Sequence, residues 1–97
     1  MGSVLFTPAA QAEVSEAQDW YEREAAGLGG RFRAEVDRVV QRLAVNPLQL
    51  PAMLADVRRA RLRKFPYGLF FRVVEDDVFI IACFHSSRDP RVWRQRL

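Results

Sequence analysis

Five residues in the second half of the chain have the types that act on a phosphodiester: Arg59, Arg61 and Arg63 at alternate positions, then His85 and Arg88. Cleavage of RNA through its 2′-hydroxyl needs a base for that proton, a cation for the phosphorane and an acid for the leaving oxygen. An imidazole serves as base or acid near neutral pH, and a guanidinium holds a phosphate through two parallel N–H donors. His85, Arg61, Arg63 and Arg88 are therefore the catalytic candidates if the chain is a ribonuclease. The same set serves equally as an anion-binding surface. For His85 we favour a structural role, a hydrogen bond that fixes the Ser86-Ser87-Arg88-Asp89 turn.

Other chemistries are poorly supplied. One cysteine, Cys83, and one histidine cannot furnish the four ligands of a structural zinc. Gly27-Leu28-Gly29-Gly30 falls between helical patterns and follows no strand, which argues against a phosphate-binding loop. Ser86 and Ser87 adjoin His85 only in sequence, whereas a triad assembles residues distant along the chain. Tyr67, after Pro66, reads as an aromatic packing a turn rather than stacking on a base. No cofactor and no metal are expected.

The elements that must position these residues follow from periodicity. Three apolar runs between Val57 and His85, joined by Phe65-Pro66-Tyr67-Gly68 and Glu75-Asp76-Asp77, predict three antiparallel strands in a meander. Side chains alternate along a strand. Ala60 and Leu62 then face one way and Arg59, Arg61 and Arg63 the other; Leu69, Phe71 and Val73 oppose Phe70, Arg72 and Val74. In the last run Val78, Ile80, Ala82 and Phe84 oppose Phe79, Ile81, Cys83 and His85. His85 is assigned to the outer face, which then mixes arginines with Phe70, Phe79 and Ile81, and such an apolar surface needs a cover: the C-terminal segment, a second chain or a target macromolecule.

Ahead of the sheet, Val4-Leu5-Phe6 suits an added edge strand, and Thr7-Pro8 suits a helix start. Ala10, Val14, Ala17 and Tyr21 form one stripe opposite Glu13, Glu16, Asp19 and Glu22. The glycines after Ala26 end that helix, and Phe32, Val36, Val39, Val40 and Leu43 form a second stripe that stops at Asn46-Pro47. Residues 46–56 read as a loop with a helical turn at Ala52-Met53-Leu54-Ala55. Helices grouped before an antiparallel sheet predict an α+β fold, with the helical hairpin on the apolar sheet face and residues 1–97 forming one domain.

With 97 residues, 49% hydrophobic and 28% charged, the chain can bury one core. No run approaches the roughly 20 apolar residues of a membrane span, and no basic-then-apolar leader opens the chain, so a cytoplasmic location and no membrane partner are expected. The lone Cys83 agrees with a reducing compartment. Residues 1–56 hold eight acidic and five basic side chains, residues 57–97 four and ten, so the positive charge is concentrated in the sheet half. That asymmetry predicts an acidic partner or a nucleic acid.

Trp20-Tyr21-Glu22, Gly27-Leu28-Gly29, Asn46-Pro47, Arg58-Arg59, Phe65-Pro66-Tyr67 and the closing His85-x-x-Arg88-x-Pro90-x-x-Trp93, in that order, resemble the RelE/ParE superfamily of bacterial toxins over nearly the whole chain. The resemblance implies the toxin of a type II toxin–antitoxin pair, linked to growth inhibition and plasmid stabilisation and silenced by a cognate antitoxin with an acidic segment. One branch cleaves messenger RNA at the ribosome; the other, ParE-like, poisons DNA gyrase. Nuclease members tend to carry an arginine where this chain has Gly68 and a tyrosine where it has Arg96-Leu97, so the ParE-like branch, acting by binding, is favoured. The implied contact surface for target and antitoxin comprises Arg59, Arg61, Arg63, Phe70, Arg72, Phe79, Ile81, His85, Arg88 and Trp93. The alternatives are a RelE-like ribosome-dependent ribonuclease and a non-catalytic basic module that binds nucleic acid.

Overall fold

A computed structural model describes residues 2–88 and residue 96. The elements run β1 (Val4–Phe6), α1 (Pro8–Glu24), α2 (Leu28–Val45), a 3₁₀ turn (Pro47–Gln49), β2 (Ala52–Leu54), β3 (Val57–Arg61), β4 (Tyr67–Val74) and β5 (Asp77–His85). The Thr7 hydroxyl oxygen accepts the Ala10 amide at 3.2 Å, and Pro8 occupies the first turn of α1, where a missing N–H costs nothing. Between the helices the backbone reverses at Gly27, whose φ of +85° a side chain would disfavour. Glu22 secures that reversal, its carboxylate accepting the Gly27 and Gly29 amides at 2.9 and 3.0 Å. A Cβ on Gly29 would lie 2.6 Å from the Gln18 carbonyl oxygen, so the start of α2 approaches α1 more closely than any other residue allows.

The helical hairpin covers one face of a five-stranded sheet ordered β1-β5-β4-β3-β2. Ala10, Val14 and Ala17 from α1 and Phe32, Val36, Val39 and Leu43 from α2 pack on Ala60, Leu69, Phe71, Val78 and Ile80. Both helical stripes lie where their spacing placed them. The fold is α+β, as expected.

Three features depart from the sequence reading. The sheet is mixed, because β1 runs parallel to β5 with Val4, Leu5 and Phe6 opposite Val78, Phe79 and Ile80. Residues 52–54 form an edge strand against β3 instead of a helical turn; pairing with a neighbouring strand overrides the weak local preference of Ala-Met-Leu. The third is a bulge. Leu69 pairs with Cys83 and Phe70 with Ala82, but Phe71 pairs with Ile80, which leaves Ile81 as an extra residue in β5. An inserted residue reverses the alternation beyond it. Cys83 therefore faces the helices and His85, two residues on, turns to the helix side beside Tyr67 instead of the expected outer face, whereas Ala82 and Phe84 join Val57, Phe70 and Ile81 in a second cluster on the other face.

Candidate functional site

On the face away from the helices, register aligns Arg61, Gly68 and Phe84 in one row and Arg59, Phe70 and Ala82 in the next. Arg59 is half-buried and Arg61 exposed. A Cβ on Gly68 would come within 3.1 and 3.2 Å of the Arg59 Cγ and Cδ, so the glycine gives the arginine stem room to lie across β4. Burial, and then the neighbouring Arg61 charge, push the Arg59 guanidinium pKa below its ordinary value. Two like charges share this surface, and among the described residues neither forms an ion pair. With Met53, His85 and Arg88 they border a groove of about 430 Å³ whose described lining includes no carboxylate.

The two clusters are closed differently. Phe70 and Ile81, each 6% exposed, are buried rather than offered to a partner. The Arg88 and Arg96 guanidinium carbons lie 4.6 and 4.9 Å from the Phe84 ring centroid, cation–π contacts that roof part of the outer cluster. Arg96 also donates to both carboxylate oxygens of Glu13 on α1, at 3.0 and 2.8 Å, and to the Ile81 carbonyl at 3.0 Å. The same carboxylate accepts the Cys83 amide at 3.0 Å. β1 pairs with β5 only through Ile80, so Glu13 and Arg96 satisfy the strand edge where that pairing stops. The hydrogen bond to Glu13 raises the Arg96 pKa. By its spacing Glu13 belongs to a solvated helix face, yet it is drawn into this clasp; an ion pair spanning 83 residues leaves no local signal in a sequence.

The remaining predicted site residues separate. His85 sits past the bulge, its ring edge-on to Tyr67 with centroids 5.2 Å apart. Its Nδ1 accepts the Ser87 amide at 3.0 Å and lies 2.8 Å from the Ser87 hydroxyl oxygen, which is the turn-fixing arrangement. Tyr67 packs on Tyr21 and Phe32 at the open end of the helix-covered core. Arg72 is engaged: its guanidinium forks onto Asp56 with contacts of 3.0 to 3.1 Å, and that hydrogen bonding draws the Asp56 pKa down. Phe79 is half-buried and registers between Arg72 and Leu5.

Arg63 corrects the predicted arginine row. β3 ends at Arg61, and the Arg63 amide donates to Glu35 on α2, so its side chain lines a hollow beside α2 instead of the Arg59–Arg61 groove. The alternation rule holds only while the chain stays extended, and Lys64, with φ of 66°, has left that conformation. Trp93 lies outside the described residues, as do Arg91 and Arg94.

Nucleophilic chemistry at Cys83 is disfavoured. Burial, aided by the Glu13 charge, pushes its thiol up to about 12, and the thiolate is the reactive form.

Known proteins share this architecture. The chain belongs to the family described as the ParE toxin of the type II toxin–antitoxin system parDE, which matches residues 4–90. It is thus a type II toxin of the RelE/ParE superfamily, on the ParE-like side. Among solved structures, the chromosomal ParDE toxin–antitoxin system from P. aeruginosa shares the fold with a TM-score of 0.71 and 23% identity, over 88% of this chain and 96% of that one. No curated protein sequence matches significantly. Among the described residues no helix is long and apolar enough to cross a membrane.

Proposed function

We propose that this toxin acts by binding a macromolecular target, DNA gyrase, and is neutralised by a cognate antitoxin whose acidic segment occupies the Arg59–Arg61 groove. The observation that carries the reading is the pair of guanidiniums without an ion-pair partner among the described residues, one of them partly desolvated, in a groove without a described carboxylate. An acidic segment supplies the missing counter-charge, and its apolar side chains fit beside the exposed Met53. Membership of the ParE family supports gyrase over the ribosome as target.

The purified chain is expected to block supercoiling or to trap cleaved DNA on gyrase, and no effect at saturating protein rejects that target. For the antitoxin, Arg61→Glu is expected to weaken binding at least tenfold, about 1.4 kcal/mol, and Arg23→Glu on α1 far less. Equal losses place the interface elsewhere.

A ribonuclease reading keeps one favourable observation: Arg59, Arg61, His85 and Arg88 border the same groove. Against it, His85 spends Nδ1 on Ser87 and Arg63 stands apart. Codon-positioned cuts after induction, abolished by His85→Ala, would establish it over binding.

A further inference from the structure

A second basic surface lies beside α2, on the other side of Phe65, which it shares with the Arg59–Arg61 groove. Arg31, Glu35 and Arg38 fall on one flank of the helix, four and three residues apart. The segment after β3 is pinned against that flank because Glu35 Oε2 accepts the Arg63 amide. Arg38 meanwhile grips both Glu35 oxygens at 2.7 and 2.8 Å, so the carboxylate in the hollow is already neutralised. Arg31, Arg63 and Lys64 remain. All three are exposed, and none has an ion-pair partner among the described residues. They border an open hollow of about 740 Å³.

The occupant follows from what the hollow offers. Its one aromatic, Phe65, is half-buried with its ring edge-on to Tyr21 and Phe32 at 5.0 and 5.3 Å, so no free ring stands ready to stack on an unpaired base. Single strands are held largely by such stacking, and the remaining apolar lining, Leu28 and Ala34, gives an acidic peptide only small anchors, so competition by such a peptide is one outcome of the test. Cations alone suffice for a duplex, whose phosphates are contacted without reading bases. We propose that the Arg31–Arg63–Lys64 hollow binds the phosphate backbone of double-stranded DNA, without sequence preference. The proposal is independent of gyrase as target, since it concerns the isolated chain and naked DNA.

The test is fluorescence anisotropy of the full chain with a labelled duplex of about 20 base pairs, titrated over a range of salt. Replacing Arg31, Arg63 and Lys64 together by Gln is expected to flatten the slope of log K against log salt by about 2 to 3, near 0.9 for each phosphate no longer neutralised. The pair Arg59→Gln and Arg61→Gln is expected to flatten it by less than about 1. Circular dichroism checks that each variant is folded, and Arg31→Gln alone, on a surface position, is expected to flatten the slope by about 0.9. An unchanged slope in the triple variant, equal flattening in both sets, tighter binding of a single strand of the same length, or displacement of the duplex by an acidic peptide at equal charge would each overturn the proposal.

Discussion

The two faces of the sheet bury apolar side chains by different means, and adjacent residues of β4 show it. Phe71, fully buried, packs under α1 and α2, whereas Phe70, equally apolar and 6% exposed, belongs to the five-residue cluster on the other side. The first core is closed by two amphipathic helices. The second is roofed in part by the guanidiniums of Arg88 and Arg96 over Phe84. A sheet face without helices is closed in part this way, while Leu5 and Val74 towards its edges stay 45% and 49% exposed. Charged side chains cover part of it with their planar heads, and Arg59 and Arg61 at its margin have no ion-pair partner among the described residues.

The contrast can be broken most directly with alanine. Phe71→Ala is expected to cost about 3–5 kcal/mol in urea denaturation and Phe70→Ala distinctly less. Equal losses would show one continuous core. The next largest effect concerns the clasp. Glu13→Gln removes the charge shared by Arg96 and the Cys83 amide and is expected to cost about 1–2 kcal/mol, moderated by the partial exposure of the pair. Glu16→Gln, one turn along the same helix, is expected to stay within about 0.5 kcal/mol. A silent Glu13→Gln would mean that the C-terminal arginine contributes nothing to closure.

The smallest effect sharpens the helix side through pH. The Arg38 hydrogen bond, joined by the Arg63 amide, holds the Glu35 pKa below its ordinary 4.5 against the opposing effect of burial. A carboxylate depressed on folding contributes stability that is fully present above the ordinary value and lost as the pH falls through the folded one. Thermal denaturation should thus show Glu35→Gln flattening the acid limb of the stability profile while changing little at neutral pH beyond the missing hydrogen bonds. An unchanged acid limb would detach Glu35 from the loop it is seen to hold.

Much of the fold was legible because its signals are local. The stripes on α1 and α2, the Thr7-Pro8 start and the glycine reversal all operate within a few residues, and β3 and β4 keep a regular period of two. Sequence alone also placed Arg59 and Arg61 on one face and His85 against its own turn, whereas Tyr67, read as part of a turn, is the first residue of β4. The parallel course of β1, the edge strand at 52–54 and the bulge at Ile81 depend on segments that meet only after folding. One inserted residue transferred Ala82 and Phe84 to the outer face and Cys83 and His85 to the inner one, which no reading of strict alternation can anticipate. Composition and periodicity determined an α+β chain with a basic sheet half. Tertiary structure decided which arginines are free: Asp56 claims Arg72, Glu13 claims Arg96 and Glu35 draws the Arg63 backbone away, because opposite charges distant in sequence neutralise each other wherever packing brings them within hydrogen-bond reach.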